Sequence, residues 1–255
     1  MKILGFVPAR MAASRFPGKP LHKIAGRPMV EHVFLRAQLF SGWDDLYLTT
    51  CDDEIFQFGL HSGFKSIMTR DDHVRCLDRV AEAVSLCDQN VDDGDIIVCV
   101  QGDEPMLHPE MIENVVKPLL NDANINGTVL SMEIVDEEQF LNPDIVKLVF
   151  NSNYEILYTS RSPIPHIPNG FDKSFGAYRV GGIFAFRWKY LQEFVRMGEG
   201  RLEKLESCDS NRFLDSTNRQ YAAVFKNVPY FSVDSPEDVN AVENAIKNDP
   251  LWGKY

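Results

Sequence analysis

The chain has 255 residues, 44% of them hydrophobic, and a formal net charge of -11, with an isoelectric point near 5.0. That length and composition suffice for one substantial core with a smaller attached lobe. The acidic balance excludes a nucleic-acid surface, which needs a basic face, and no stretch approaches the ~20 apolar residues of a membrane span. The start, Met1-Lys2 and a short apolar run into Pro8 and Arg10, is too brief for a signal peptide, so the expected compartment is the cytosol.

In chain order, Ile3–Val7 reads as a short apolar strand. Met29, Val30, Val33, Phe34 and Ala37 recur at helical spacing, with Pro28 expected at the first turn. Leu46–Leu48 is a second strand, Ile55–Leu60 a helix and Lys65–Met68 a third strand. Leu77, Val80, Ala81 and Val84 mark another helix, and Ile96–Val100 is a fully apolar strand. Such runs alternating with helices predict a parallel sheet covered on both faces. In the second half, Val129–Ile134, Val146–Phe150, Ile156–Tyr158 and Val180–Phe186 are strand-like, with a Pro- and Gly-rich excursion from Ser162 to Gly176. Helices are expected at Leu202–Phe213 and Pro236–Ile246, with a strand at Tyr230–Val233 before the latter. The expected fold is α/β: a Rossmann-like, mainly parallel sheet with a smaller mixed-strand lobe. No G-x-G-x-x-G follows the first strand, so it is not a classical dinucleotide fold.

The five cysteines include no C-x-x-C pair, so neither a disulfide framework nor a zinc site is expected. Cys87 and Cys99 lie in apolar segments and read as core thiols. The six histidines form no catalytic set with a cysteine, although His73 and His166 fall near other candidate features.

The stretch VPARMAASRFPGKPL places Arg10, Arg15 and Lys19 within ten residues, among small residues and prolines. Clustered cations with approachable backbone N–H groups suit an anion with several charges, while the competing reading is a solvated surface turn. Ligands of open α/β sheets bind beyond the carboxyl ends of the strands. The basic loop, Thr50–Asp53 and Gln101–Pro105 all follow strands on that edge, which favours the anion-binding reading. A polyphosphate there would call for Mg²⁺, held by one or two carboxylates. Asp103, behind a buried strand and Gly102, is the first candidate. Asp234 is the second, although an Asp before Ser-Pro also suits a helix cap. Asp238 fits simple complementation of the helix dipole.

These residues match a known family. PARMAASRFPGKPL, GRPMVEHVFLRA, CDDEI, MTRDDH, DRVAEA, VQGDEP, SRSPIP, LEKLES and VDSPEDV resemble the 3-deoxy-manno-octulosonate (KDO) cytidylyltransferases, in register from about Ile3 to about Ala245. The resemblance implies a nucleotidyltransferase fold in a single domain, 1–255, with the mixed-strand lobe inserted at roughly 155–190. It implies that Arg10, Ser14, Arg15 and Lys19 hold the triphosphate of CTP, that Arg79 and Gln101 lie around the cytidine, and that Asp103 and Asp234 bind Mg²⁺. Lys19, Arg10 and Asp103 would serve the reaction itself: attack of a sugar-acid hydroxyl on the α-phosphorus, giving a CMP-sugar and pyrophosphate for lipopolysaccharide synthesis. Arg161 in SRSPIP matches a sugar-carboxylate contact. The family also forms homodimers through the mixed-strand lobe. Tyr158, Phe171, Phe175, Tyr178, Phe184 and Phe186 there fit an interface or a core equally well.

The match breaks around the expected acceptor pocket. Where the family reads S-G-T, this chain has Arg75-Cys76-Leu77; Val180 replaces a histidine; and Asp209-Ser210-Asn211-Arg212 replaces E-Q-L-R. Asp209, Arg212 and Arg75 are therefore candidates for an altered acceptor site, with Arg75 alternatively a surface partner of Asp71, Asp72 or Asp78. The acceptor is KDO, another ulosonic acid, an amino sugar acid or a phosphonate; a catalytically silent nucleotide-binding protein is the alternative of another class.

Overall fold

The apolar run after Met1-Lys2 forms β1 (Ile3–Pro8), buried from Leu4 onward. It opens a computed structural model that describes residues 1–12, 15–168, 170–216, 218–226, 232–233 and 235–255. The chain divides into two compact units, Met1–Glu113 with Val228–Tyr255, and Asn114–Asn227. The segment 155–190 lies within the second of them.

In the first unit a two-residue hairpin, β2 (Lys23–Ile24) and β3 (Arg27–Pro28), precedes α1 (Met29–Gln38). There follow β4 (Asp45–Thr50), α2 (Asp53–His61), β5 (Ser66–Met68), α3 (Cys76–Leu86) and β6 (Ile96–Val100). The strands pair in parallel in the order β6, β1, β4, β5. Every residue of β6 is buried, as expected for a strand with both faces covered. The helical spacing in α1 buries Met29, Val30, Val33, Phe34 and Ala37, and also Arg36. That cation is tolerated inside because its guanidinium meets Asp249 at 2.6 Å and lies over the Tyr255 ring. A second apolar cluster joins Phe16, Ile24, Met29 and Met106 to Val233, Val239, Val242 and Ile246. The last three belong to α8 (Pro236–Ile246), so this cluster fixes the segment after the basic loop.

The helix α4 (Pro109–Asn121), for which the sequence reading made no provision, leads out of this unit. The second unit contains β7 (Gly127–Glu133), α5 (Glu137–Leu141), β8 (Lys147–Phe150), β9 (Ile156–Ser160) and β10 (Tyr178–Arg187), then α6 (Trp188–Met197), α7 (Arg201–Glu206) and β11 (Tyr221–Phe225). Pairing is mixed: β11 runs parallel to β7, whereas β7–β10, β10–β8 and β8–β9 are antiparallel. The α/β class, with a parallel sheet and a mixed-strand portion, is as the sequence indicated.

Several local expectations need correction. Leu202–Phe213 is not one helix: α7 stops at Glu206, Ser207 adopts φ 50°, and a 3-10 segment spans Asp209–Asp215. Phe184 and Phe186 are core residues and Phe175 is exposed, while Tyr158, Phe171 and Tyr178 are half-buried. Cys99 is buried but Cys87 is only half-buried; Cys208 is the second buried thiol. The helix α8 is capped by Ser235, whose N–H donates to the Asp238 carboxylate at 2.7 Å. Asp238 is thus part of a capping box as well as a dipole partner. Half of the strand expected at Tyr230–Val233, residues 230 and 231, lies outside the described residues.

Candidate active site

The parallel register sends the ends of β1, β4 and β6 to one edge, with Pro8 beside Thr49 and Phe6 beside Cys99. The loop after β1 is fastened there by Ala9 N–H to Thr49 O at 2.9 Å and by Met11 N–H to the Asp52 carboxylate at 2.8 Å. It closes through Gly18 N–H to Met11 O at 3.1 Å. Gly18 sits at φ 74°, a conformation that costs glycine little and other residues more. The loop after β6 approaches just as closely: a Cβ on Gly102 would lie 2.7 Å from the Pro8 carbonyl oxygen. Gly102 is therefore required by backbone packing.

That packing sets Lys19 against Asp103. Lys19, only 9% exposed, donates from Nζ to Asp103 Oδ2 at 2.9 Å and to the Val233 carbonyl at 2.7 Å. The other carboxylate oxygen, Oδ1, is buried without a hydrogen-bond partner among the described residues. A buried anionic oxygen with no donor is costly, and a divalent cation would satisfy it. Asp103 thus fits a metal-binding carboxylate. Among the described residues no group of three or more His, Cys, Asp or Glu could hold a metal. Ser14 and Asp234 lie outside the described residues.

Around this pair is a cleft of about 290 Å³ lined by Arg10, Arg15, Lys19, Arg75, Arg79, Gln101 and Asp103, near the lower end of small-molecule sites. Five cations face one carboxylate in a chain of net charge -11. Arg79 is nearly buried and anchored to Thr69 Oγ1 at 2.5 Å and Arg70 O at 3.0 Å. Arg75 lines the cleft, while Asp72, one of its expected surface partners, pairs with Arg70 at 3.3 Å.

The sequence reading left His73 and Cys76 without a role, and the structure puts both in the cleft wall. His73 Nε2 lies 2.6 Å from Glu82 Oε2. Burial opposes the charge on Glu82, yet the Arg70 N–H and His73 hold its carboxyl below the ordinary value. The helical spacing of α3, which turns Glu82 back toward His73, was the only available signal.

The remaining candidates belong to the second unit. Arg161 donates from its guanidinium to the carbonyls of Glu206 at 2.9 Å, Pro143 at 2.9 Å and Ser207 at 3.3 Å. A substrate carboxylate would have to displace these acceptors. Arg212 is a core residue rather than one presented to a substrate: it meets buried Glu203 at 2.8 and 2.7 Å and lies over Phe194 at 3.9 Å. Asp209 begins the 3-10 segment, half-buried, just beyond the turn at Ser207.

Comparison with known proteins identifies the family. A family model described as Cytidylyltransferase matches residues 4–227. A 3-deoxy-manno-octulosonate cytidylyltransferase of Thermodesulfovibrio yellowstonii is 35% identical, covering 94% of this chain and 96% of the relative. An 8-amino-3,8-dideoxy-manno-octulosonate cytidylyltransferase of Shewanella pealeana is 36% identical, covering 98% and 100%. A solved structure of CMP:2-keto-3-deoxy-manno-octonic acid synthetase complexed with CTP aligns with TM-score 0.85 and 31% identity, over 97% of this chain and 99% of that one. These matches make the protein a nucleotidyltransferase, and the cation-lined cleft at its strand ends is the candidate site. The chain belongs to the cytidylyltransferase family, in the group of the octulosonate cytidylyltransferases.

Proposed function

We propose that this protein transfers a cytidylyl group from CTP to a hydroxyl of KDO or its 8-amino analogue, with Mg²⁺, releasing pyrophosphate. The observation that carries the reading is the Lys19–Asp103 pair at 2.9 Å inside a cleft lined by four further cations, Arg10, Arg15, Arg75 and Arg79. Arg10, Arg15 and Lys19 would bind the triphosphate. Lys19 would neutralise charge that collects on the departing pyrophosphate as the bond to the α-phosphorus breaks. Asp103, with Asp234 as the second carboxylate assigned by the resemblance, would hold the metal. Bound there, Mg²⁺ would polarise the α-phosphate and make the attacking hydroxyl more acidic. Gln101 and Arg79 would flank the cytidine, and no side-chain nucleophile is required. A homodimer and a cytosolic location complete the proposal; among the described residues no helix is long and apolar enough to cross a membrane.

A second acceptor reading, another ulosonic acid or a small phosphonate with an added anionic group, is favoured by Arg75 lining the cleft. Pyrophosphate release with CTP, Mg²⁺ and a panel of KDO, 8-amino-KDO, other ulosonic acids and phosphonates tests both readings. Release with one of the octulosonates, abolished by chelation, is the expected result. Binding of CTP without release for any acceptor would instead identify a silent nucleotide-binding protein.

A further inference from the structure

Gln101 and Cys76 meet across the cleft described above, each at the start of a new segment. Gln101 is the first residue after β6, and Cys76 is the first residue of α3. Gln101 Nε2 donates to Cys76 Sγ at 3.4 Å, and both residues line the cleft. A glutamine amide has two edges of opposite character, an acceptor oxygen and a donor nitrogen, and an unanchored amide turns either one to a ligand. Here the nitrogen is committed. The oxygen is not sealed away: Oε1 is absent from the buried unpartnered atoms, and the sulfur contact is the hydrogen bond Gln101's side chain makes among the described residues.

We infer that Cys76 is a positioning residue for nucleotide recognition, fixing the Gln101 amide so that Oε1 accepts a hydrogen bond from a donor on the nucleoside half of the substrate. The inference rests on the reading of this cleft as the CTP site. It concerns a residue particular to this chain, because Cys76 stands where the resembling motif has glycine, which has no side chain to anchor the amide. CTP offers two kinds of donor, the exocyclic amine of the base and the ribose hydroxyls. A tethered acceptor discriminates against an analogue that lacks its donor, since the acceptor, covered by the bound nucleotide, is then left unpaired.

Calorimetric titration of CTP with Mg²⁺ into the wild type, Cys76→Ala, Cys76→Ser, Gln101→Ala and the double variant Cys76→Ala/Gln101→Ala tests this. Cys76→Ala should weaken CTP binding by roughly 3- to 10-fold, as loss of one hydrogen bond implies, and Cys76→Ser should restore most of the affinity. In the Gln101→Ala background Cys76→Ala should add nothing, because the two residues act as a unit. UTP, 2′-deoxy-CTP and 3′-deoxy-CTP identify the donor: one of them should bind the wild type less well than CTP and lose that disadvantage in Cys76→Ala. Wild-type affinity in Cys76→Ala, an undiminished effect in the Gln101→Ala background, or equal binding of all four nucleotides would overturn the inference while leaving the CTP site intact. A wild type that binds no CTP would remove the site reading itself, and this inference with it.

Discussion

Lys19 Nζ is held between Asp103 Oδ2 at 2.9 Å and the Val233 carbonyl at 2.7 Å, while Asp103 Oδ1 has no partner among the described residues. One carboxylate thus has an oxygen bound to a cation and another still needing one. Asp103→Asn keeps the volume and removes the charge. It should leave the fold intact and reduce turnover by roughly 10²-fold or more. Pyrophosphate release and circular dichroism on the same preparation check both halves. Near-normal turnover at ordinary Mg²⁺ would take Asp103 out of the mechanism.

Lys19→Ala leaves the facing carboxylate without its ammonium. Both the KM for CTP and kcat should suffer, because the cation faces oxygens that gain charge as pyrophosphate departs. Steady-state kinetics beside a thermal melt distinguish this from a packing defect: a lowered melting temperature with unchanged kinetics would return the basic loop to an ordinary surface turn.

Gly102→Ala is expected to damage the site through the backbone. Its Cβ would stand 2.7 Å from Pro8 O and 3.4 Å from Ala9 Cβ, so the ends of β1 and β6 must separate. A cost of about 1–3 kcal/mol is typical of such overpacking, and Asp103 would move with the displaced segment. Denaturant unfolding and CTP turnover should fall together; an unchanged midpoint would show that the two strand ends yield easily.

Arg75→Ser should lower activity with the native acceptor and shift preference toward KDO, because a cation lining the cleft favours an additional anionic group on the acid. Relative rates for KDO, other ulosonic acids and phosphonates on both proteins decide it. Identical acceptor profiles would assign Arg75 to a surface pairing instead.

In the second unit, burial works against the Glu206 carboxylate, but the Arg161 N–H, the Ser160 hydroxyl and the Tyr158 hydroxyl together hold its pKa below the ordinary value. A lowered folded-state pKa means stability that is present above the unfolded-state value and is lost as pH falls through the folded one. Glu206→Gln should therefore destabilise the protein at neutral pH and show a weaker loss of stability on acidification. Chemical unfolding between neutral pH and about pH 3, below ordinary carboxylate values, gives the comparison. Parallel curves for the two proteins would refute the assignment.

The sequence by itself determined the parallel half of the fold. Ile96–Val100 is read with the same limits in both, and Ile3–Val7 differs from β1 only by Pro8, because a fully apolar run carries its own burial signal. The meeting of Arg10, Arg15, Lys19, Gln101 and Asp103 was also legible, since parallel strands must deliver their following loops to one edge. The tertiary structure decided what spacing cannot encode. Arg212 is a candidate acceptor-site residue in sequence, yet it pairs with Glu203 in the core beside a chain reversal at Ser207. Gly102 looks like a ligand-approach residue, yet answers to the Pro8 carbonyl. Cys76 and Gln101 are 25 positions apart and meet only once α3 and β6 are in place. Local pattern records which face of an element is apolar; which polar groups find one another depends on contacts between elements, and those exist only in the folded chain.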